Sequence, residues 1–547
     1  MTDEPTSPRW PFAAAGVLGA VAGVAAGHFV ASLVRAEASP ALAVGTVVIH
    51  NTPEGLKQWA IDQFGDSDKS VLVGTVFVVT LLLAVVAGLL SRRRPRIGLA
   101  FVALLGAAVI AAGHSTARSS APLSVPLSWV WPGLVAAVAA GSVLVVLRRL
   151  ALGLPAFGSW IPAAELSFAA QAGGPAAAPL GSPTDHVAIG YVGGRTARRR
   201  FLTGAAGTVG GSLLVAALGE GFTAPPPVED ISDLRIASRA PHFPATFDRK
   251  VPGITPLRTP PRDFYRIDTA LVVPRLDRDR WRWRIDGLVE RNVELSFEEL
   301  ISEFEVIERD ITLNCVSNDV GGPYISSGRW VGVRTRDVLR RAGVRPVADQ
   351  ILSRSSDGMT ISTPVQALLD DREAMIAVGL DGAALSRERG YPARLVTPGL
   401  YGFVGATKWL VGMRATTYSD ASAYWTQRGW AIDAPVKTQS RIDVPRGSEE
   451  VPVGRVRAGG VAWAQGRGIS RVEVQLDDGP WKQALLGADV GIAYWRQWLF
   501  DFVVDKPGTH ELRVRATDGD GNVQTTKRAM PFPDGASGLH TVTFRAT

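Results

Sequence analysis

The sequence predicts N-terminal all-α membrane helices, followed by an α+β domain and a C-terminal β-sandwich. Three observations support this fold class. The run 12–34 contains no Asp, Glu, Lys or Arg, and similar apolar runs recur as far as residue 218. From about residue 281 the chain mixes alternating apolar and polar residues with helix-capping sequences, such as the capping box predicted at Ser296-x-x-Glu299, which is typical of α+β domains. After residue 440, short strand-like segments alternate with Gly and Asp turns such as 477–479, which is typical of an all-β sandwich.

The first part of the chain contains four apolar runs that are long enough to cross a bilayer, which needs about 20 residues of helix. These runs cover residues 12–34, 71–90, 97–113 and 127–147. Arginines lie between the second and third runs and directly after the fourth, so the positive-inside rule places the N-terminus and these links in the cytoplasm. We therefore predict a four-helix membrane region over 1–150. The stretch 151–196 is rich in Ala, Gly and Pro, and we predict a cytoplasmic loop there.

The segment 197–220 has three consecutive arginines at 198–200, then Phe201 and Leu202, then a Gly-containing apolar stretch. This pattern resembles a twin-arginine translocation signal. It also fits a fifth membrane helix with positive-inside flanks, and the two interpretations are compatible. Either one places the remaining chain outside the cytoplasm. Three prolines at 225–227 open a predicted linker over 221–258.

Charge and cysteine content exclude several kinds of protein. The net charge is +7, but many arginines lie beside the apolar runs, so membrane topology explains the excess better than nucleic-acid binding. One cysteine in 547 residues excludes an internal disulfide, a CxxC redox pair, a cysteine-held zinc site and a four-cysteine iron–sulfur cluster. On composition alone, such a cysteine is most often a small buried apolar residue.

The sequence around Cys315 changes that interpretation. Leu313-Asn314-Cys315-Val316-Ser317-Asn318 and the later Gly328-Arg329-Trp330-Val331-Gly332 resemble the sulfite oxidase family of molybdopterin enzymes. Matching segments lie in order at 263–266, 354–358, 390–399 and 408–410, and in the C-terminal part at 460–463, 468–474, 495–498 and 515–522. The resemblance implies a sulfite-oxidase-type molybdopterin-binding domain over 259–438. It also implies an Ig-like dimerisation domain over 439–547.

The resemblance also implies functional residues. Cys315 would be the catalytic residue and the protein ligand to molybdenum, a role that suits a soft thiolate. Arg394 would hold the phosphate of the pterin, because a guanidinium binds phosphate in a forked geometry. Further contacts to the molybdenum–molybdopterin cofactor would come from Lys408, Tyr265, Arg266, Ser355 and Asn318. Arg329 and Trp330 would support the fold, and Tyr401 and Tyr324 are candidate pocket residues.

One departure from the family pattern bears on the substrate. Sulfite oxidases carry arginines directly after this cysteine loop, whereas this chain has Asp319 and Val320. A carboxylate at that place repels an anion, since little water screens the interaction. The sequence thus argues against sulfite or nitrate as the native substrate.

The function predicted from the sequence is that of a multi-pass cell-membrane oxidoreductase, with its catalytic domain on the extracytoplasmic side. It would catalyse two-electron oxygen-atom transfer on a small S- or N-oxo substrate. Its partners would be a quinone or cytochrome electron carrier and, through the C-terminal domain, a second copy of the chain. His28 and His114 in the apolar runs leave haem b open, although membrane histidines more often form hydrogen bonds. The alternative is a cofactor-free, membrane-tethered binding or adhesion module that retains the fold.

Overall fold

The computed structural model of the chain describes two separate units. The described residues are 8–34, 38–53, 56, 59, 63–64, 68–120, 127–156, 195–222 and 227–547. The units are Met1–Ala224 and Pro225–Thr547.

The N-terminal unit is helical in its described part. Its helices are α1 (Trp10–Val34), α2 (Pro40–Asn51), α3 (Asp68–Arg93), α4 (Pro95–Ser120), α5 (Trp131–Ala151) and α6 (Arg195–Phe222). All except α2 are long and apolar enough to cross a membrane. The predicted loop 151–196 lies mostly outside the described residues.

Small residues let these helices approach closely. The backbone of Gly16 in α1 lies against the carbonyl of Ala84 in α3, and Gly88 lies against the carbonyl of Phe12. A Cβ atom at either glycine would overlap that backbone, so glycine is required at this crossing. Near the ends of α3 and α5, Arg148 Nε donates to the carbonyl of Ser91 at 2.6 Å.

Two mixed sheets form the first part of the C-terminal unit. The strands are β1 (Ile236–Ser238), β2 (Arg282–Gly287), β3 (Val293–Ser296), β4 (Val306–Asn314), β5 (Ile325–Arg334), β6 (Gln350–Ser355), β7 (Thr360–Pro364), β8 (Met375–Leu380), β9 (Ala383–Ala384), β10 (Arg394–Val396) and β11 (Leu410–Thr416). One sheet has the order β1-β4-β5-β8-β10, with β9 on β8, and the other has the order β3-β2-β11-β6-β7. Within the described residues of these two sheets, only the β1–β4 and β2–β11 pairs are parallel.

Short helices cover these sheets and complete one apolar core. They are α7 (Phe297–Glu303), α8 (Thr335–Ala342), α9 (Val365–Leu369) and α10 (Gly402–Gly405). The core includes Trp283 from β2, Val331 from β5 and Leu339 from α8. The predicted capping box at the start of α7 is confirmed, because Ser296 and Glu299 bond each other's backbone N–H groups.

The remaining chain forms two sheets around a second core. Their strands are β12 (Gln439–Val444), β13 (Glu450–Val451), β14 (Gly454–Trp463), β15 (Ile469–Leu476), β16 (Lys482–Gln483), β17 (Leu485–Leu486), β18 (Arg496–Val504), β19 (Gly508–Asp518) and β20 (His540–Ala546). The orders are β12-β14-β18-β17 and β13-β20-β19-β15-β16. Both sheets contribute to the core, for example Trp498 from the first and Val472 and Phe544 from the second.

The linker predicted for 221–258 differs from the structure over its described residues, 221–222 and 227–258. Residues 236–238 form β1, which pairs with β4. Ile254 and Leu257 are buried, and Thr255 N donates to Asp443 Oδ2 at 2.9 Å. The free energy gained by burying these two apolar side chains outweighs the preference of the proline-rich segment for an extended, solvated conformation.

Candidate active site

The single cysteine lies where β4 ends. β4 stops at Asn314, and Cys315 begins a tight loop that returns to β5. Cys315 N donates to the carbonyl of Tyr324 at 3.0 Å, and Asn318 N donates to the carbonyl of Cys315 at 3.1 Å. The Asn318 side chain accepts a hydrogen bond from Tyr324 N at 2.8 Å. The buried Asn318 therefore closes the loop, and its carbonyl oxygen is used within the protein.

The Cys315 side chain is half-buried, and its Sγ lies 2.8 Å from Ser317 Oγ. Burial raises the pKa of the Cys315 thiol, and hydrogen bonds from Ser317 oppose part of this rise. The free thiol is therefore protonated at neutral pH, and a metal that binds it must displace the proton.

Tyr265 links the cysteine to the buried arginine of β10. Burial raises the pKa of Tyr265, and so does the nearby Cys315, whereas Arg394 and Arg389 act in the opposite direction. The phenol therefore stays neutral and can donate a hydrogen bond at physiological pH. Tyr265 N donates to Ser326 Oγ at 3.0 Å, and this bond fixes the segment 263–266 against β5.

Arg394 is a buried cation without an anion. Only 6% of the residue is exposed, and no carboxylate of the described residues lies within 4.0 Å of its guanidinium. Nη1 donates to the carbonyl of Arg389 at 3.2 Å, while Nε is buried without a hydrogen-bond partner. Burial lowers the pKa of Arg394 to about 10. An uncompensated buried charge is costly, so this environment favours an anionic ligand.

A second buried arginine lies beside it. Arg389 Nη1 donates to the carbonyl of Tyr265 at 2.6 Å. Burial lowers the pKa of Arg389, and repulsion from Arg266 adds to this effect. Arg389 in turn lowers the pKa of Arg394 by repulsion. Two neighbouring guanidinium groups in a buried place strengthen the case for a bound anion.

Lys408 and Arg266 already have a partner inside the protein. Lys408 Nζ lies 2.7 Å from Asp268 Oδ2, and Arg266 Nε lies 2.9 Å from the same oxygen. Burial lowers the pKa of Lys408 to about 8, although Asp268 opposes this change. The structure thus pairs both predicted cofactor contacts with one buried carboxylate.

Three buried hydroxyl groups in the segments that resemble the family pattern have no hydrogen-bond partner. Ser355, at the end of β6, is 3% exposed, and its Oγ has no hydrogen-bond partner. Ser356 Oγ and Thr397 Oγ1 are in the same condition. Neither residue was predicted as a contact, although both lie in segments that resemble the family pattern. Buried polar atoms are normally paired, so hydroxyls like these are expected where a ligand completes the bonding.

The predicted supporting residues are paired within the fold. Arg329 Nη2 lies 2.8 Å from Asp310 Oδ2, and Trp330 Nε1 donates to the carbonyl of Ile311 at 3.2 Å. The Tyr401 hydroxyl accepts a weak bond from Lys437 N at 3.5 Å. Asp319 is exposed on the cysteine loop, where its carboxylate faces water.

The donor set fits a molybdenum–pterin cofactor. It offers one soft sulfur ligand, an unpaired buried guanidinium and free hydroxyl donors, which match a metal, a phosphate and a polar ring system. Among the described residues, no group of three or more His, Cys, Asp or Glu side chains could hold a metal. A metal at Cys315 would therefore need further ligands from a cofactor.

Comparison with known proteins decides the family. Residues 270–425 match the family model of the oxidoreductase molybdopterin binding domain. Over 313 aligned residues the chain is 28% identical to sulfite oxidase of Gallus gallus. The alignment covers 48% of this chain and 67% of that protein. The domain at residues 270–425 belongs to the molybdopterin-binding oxidoreductases and is similar to that of sulfite oxidase. It is an oxidoreductase domain with a molybdenum–molybdopterin cofactor.

Other similar proteins have different activities. Nitrate reductase [NADH] 1 of Oryza sativa subsp. japonica is 28% identical over 318 residues, which are 47% of this chain and 34% of that protein. The solved structure of sulfane dehydrogenase SoxCD from Paracoccus pantotrophus has a TM-score of 0.47 at 24% identity and covers 53% of this chain and 82% of that one. The match to the rice protein spans only about a third of that protein, so family membership leaves the substrate open.

Proposed function

We propose that this chain is a membrane-anchored, extracytoplasmic oxidoreductase. It would catalyse two-electron oxygen-atom transfer on a small S- or N-oxo substrate. One observation carries the proposal: Arg394 is buried without a carboxylate partner among the described residues, and its Nε has no hydrogen-bond partner. A buried guanidinium in this state favours a bound anion, which the phosphate of a molybdenum–pterin cofactor supplies.

Each residue has a proposed task in holding the cofactor. Cys315 supplies the thiolate ligand to molybdenum, and Arg394 binds the terminal phosphate. Ser355 donates a hydrogen bond from a hydroxyl that has no partner in the protein, and the neutral phenol of Tyr265 donates a second one. When bound, the cofactor supplies the two-electron oxygen-atom transfer chemistry.

The other predicted contact residues act by holding the loop and the local charge in place. Asn318 holds the cysteine loop closed through its bond to Tyr324 N. Lys408 and Arg266, joined through Asp268, keep the local charge positive near the phosphate. Asp268 also fixes the position of both side chains, so neither has to be ordered when the phosphate binds.

Local charge at the loop favours an uncharged substrate. Residues 315–324 contain no lysine or arginine, and Asp319 is exposed there. Because the Asp319 carboxylate is exposed, water weakens the repulsion expected from the sequence, and the lack of a cation on this loop is the stronger argument for a neutral sulfoxide or N-oxide over sulfite or nitrate.

Membrane anchoring and sidedness rest on the N-terminal unit. Five helices are long and apolar enough to span a membrane. The arginines beside α3, α5 and α6 favour a cytoplasmic N-terminus and an exported catalytic unit. We assign the two C-terminal sheets with their common core to an Ig-like dimerisation domain. A quinone or cytochrome would exchange electrons with the catalytic unit.

Substrate assays test the proposal directly. The purified, molybdenum-loaded protein should reduce methyl phenyl sulfoxide or trimethylamine N-oxide with an artificial electron donor, and it should oxidise sulfite at least about tenfold more slowly. The variant Asp319→Arg should raise sulfite oxidation, whereas Asp478→Arg, on an exposed turn far along the chain, should not. Sulfite turnover above that of both oxides in the unmodified protein would overturn the substrate assignment. Reporter fusions at residue 547 that are active only in the cytoplasm would overturn the sidedness.

A further inference from the structure

The cysteine loop ends in two glycines that receive side chains from the C-terminal sheets. Gly321 has a φ of 80°, in the left-handed region that favours glycine. The ring of His540, from β20, packs directly against Gly321, and a Cβ atom there would overlap it. Arg441, from β12, donates from Nη1 to the carbonyl of Gly322 at 2.9 Å. Two strands of the second domain therefore contact the loop that carries Cys315.

All three guanidinium nitrogens of Arg441 form hydrogen bonds within the protein. Nε lies 2.7 Å from Asp443 Oδ1, and Nη2 donates to Thr255 Oγ1 at 2.7 Å. Asp443 also accepts from Thr255 N at 2.9 Å. The guanidinium is nearly buried, so the bond to Gly322 comes from a fixed group and costs little side-chain entropy when the loop orders.

His540 is fixed in a similar way. Its Nδ1 accepts a hydrogen bond from Ile442 N at 3.0 Å, which joins β20 to β12 beside Arg441. The ring therefore presents its other edge to Gly321. The cysteine loop is therefore contacted by side chains from both β12 and β20.

The strand that leads into the loop has a further support from the same domain. Thr312 N donates to the carbonyl of Ala493 at 3.0 Å, and Trp495 N donates to Thr312 Oγ1 at 2.9 Å. These bonds fix β4 three residues before Cys315. They leave the loop after the cysteine to be positioned by Arg441 and His540.

We propose that Arg441 is a positioning residue for Cys315: through Gly322 it makes the C-terminal domain set the conformation of the metal-binding loop. This inference rests on the proposed role of Cys315 as the molybdenum ligand. It gives the second domain a task in the catalytic site besides any part in dimerisation.

Hydrogen exchange of the full-length, cofactor-free protein tests the inference. Arg441→Met keeps the apolar stem and deletes the hydrogen bonds. It should speed exchange of the peptide 315–324 about tenfold, because one bond from a charged donor is lost. Exchange in β15 and β19 should stay unchanged. Arg457→Met, which removes an exposed arginine paired with Asp501 in the neighbouring strands, is the matched control and should leave the loop unchanged.

Because the chain has a single cysteine, the alkylation rate of Cys315 gives a second measurement. A purely structural role of Arg441 would leave this rate unchanged. Alkylation of Cys315 in the cofactor-free protein should also be about tenfold faster in Arg441→Met and intermediate in Arg441→Lys. Unchanged loop exchange and alkylation in a folded Arg441 variant would refute the inference. So would an equal acceleration in every peptide. If Arg441→Met does not fold, the Lys variant decides between these outcomes. Neither measurement needs molybdenum, so failure of the proposed function would be seen separately.

Discussion

Replacement of Arg394 by methionine should separate cofactor binding from folding. Burial lowers the pKa of Arg394 to about 10, and the difference from its ordinary value corresponds to a penalty of about 3 kcal/mol. The side chain recovers about 1 kcal/mol from its bond to the Arg389 carbonyl and about 1 kcal/mol from its contact with the Trp330 ring, whose centre lies 5.3 Å away. The variant should therefore raise the unfolding free energy of the cofactor-free protein by about 1 kcal/mol.

The pH dependence has a defined sign. The folded pKa of Arg394 lies below the unfolded value, so the penalty is fully present at neutral pH. It begins to shrink as the pH rises through about 10, where the folded protein starts to lose this proton, and it is gone only above the ordinary pKa of arginine. Methionine at this position removes that part of the alkaline pH dependence.

Arg329→Met is the matched control. Arg329 also lies near Trp330 in sequence, but it pairs with Asp310 and Glu308, whose side chains are 6% and 9% exposed. Its removal leaves two buried carboxylates unpaired and should cost about 3 kcal/mol.

Urea unfolding of the detergent-solubilised full chain, followed by near-UV circular dichroism, measures both changes. Molybdenum and pterin content of the purified variants measures cofactor retention. We expect Arg394→Met to gain about 1 kcal/mol of stability but to lose at least about tenfold in cofactor content, because it removes the phosphate partner. If Arg394→Met destabilises the cofactor-free protein as much as Arg329→Met does, or retains full cofactor content, Arg394 is a structural residue.

Two further predictions concern buried titratable groups. Burial lowers the pKa of His540 to about 4, with help from Arg441 and against Asp443, so the folded imidazole stays neutral and stability is lost as the pH falls from about 6.5 towards 4. His540→Gln should reduce the change in unfolding free energy between pH 6.5 and pH 4 by about 2 kcal/mol. Urea unfolding at several pH values that shows the same pH dependence in both proteins would contradict this. Asp268→Asn should cost about 3 kcal/mol at pH 7, because it leaves Lys408 charged and buried without its carboxylate. The loss should shrink at pH 9, above the Lys408 pKa of about 8, and equal losses at both pH values would count against the pairing.

Local sequence patterns were sufficient for much of the fold. The capping box at Ser296 depends on residues three positions apart, so it could be read directly from the sequence. The apolar runs predicted membrane helices because length and composition alone decide that property. The alternation of Ile311 and Leu313 predicts a strand that leads up to Cys315, and β4 does end at Asn314.

Long-range pairing is what the sequence did not reveal. Lys408 is paired with Asp268, 140 positions earlier in the chain, and this partner changes a predicted phosphate contact into half of an internal ion pair. Arg441 reaches Gly322 over 119 positions. Residues 227–258 pack on the folded unit instead of forming a linker, because burial of Ile254 and Leu257 depends on surfaces contributed by distant strands.

Cys315 is assigned as the molybdenum ligand, and metal analysis of a single variant is the sharpest test of that assignment. Cys315→Ser should fold like the unmodified chain, since it changes one half-buried atom. Molybdenum bound per protein, measured by mass spectrometry of metals, should be close to one in the unmodified protein and should fall at least about tenfold in Cys315→Ser, because the soft ligand is lost. Full retention of molybdenum by Cys315→Ser, or no molybdenum in the unmodified protein, would contradict the account.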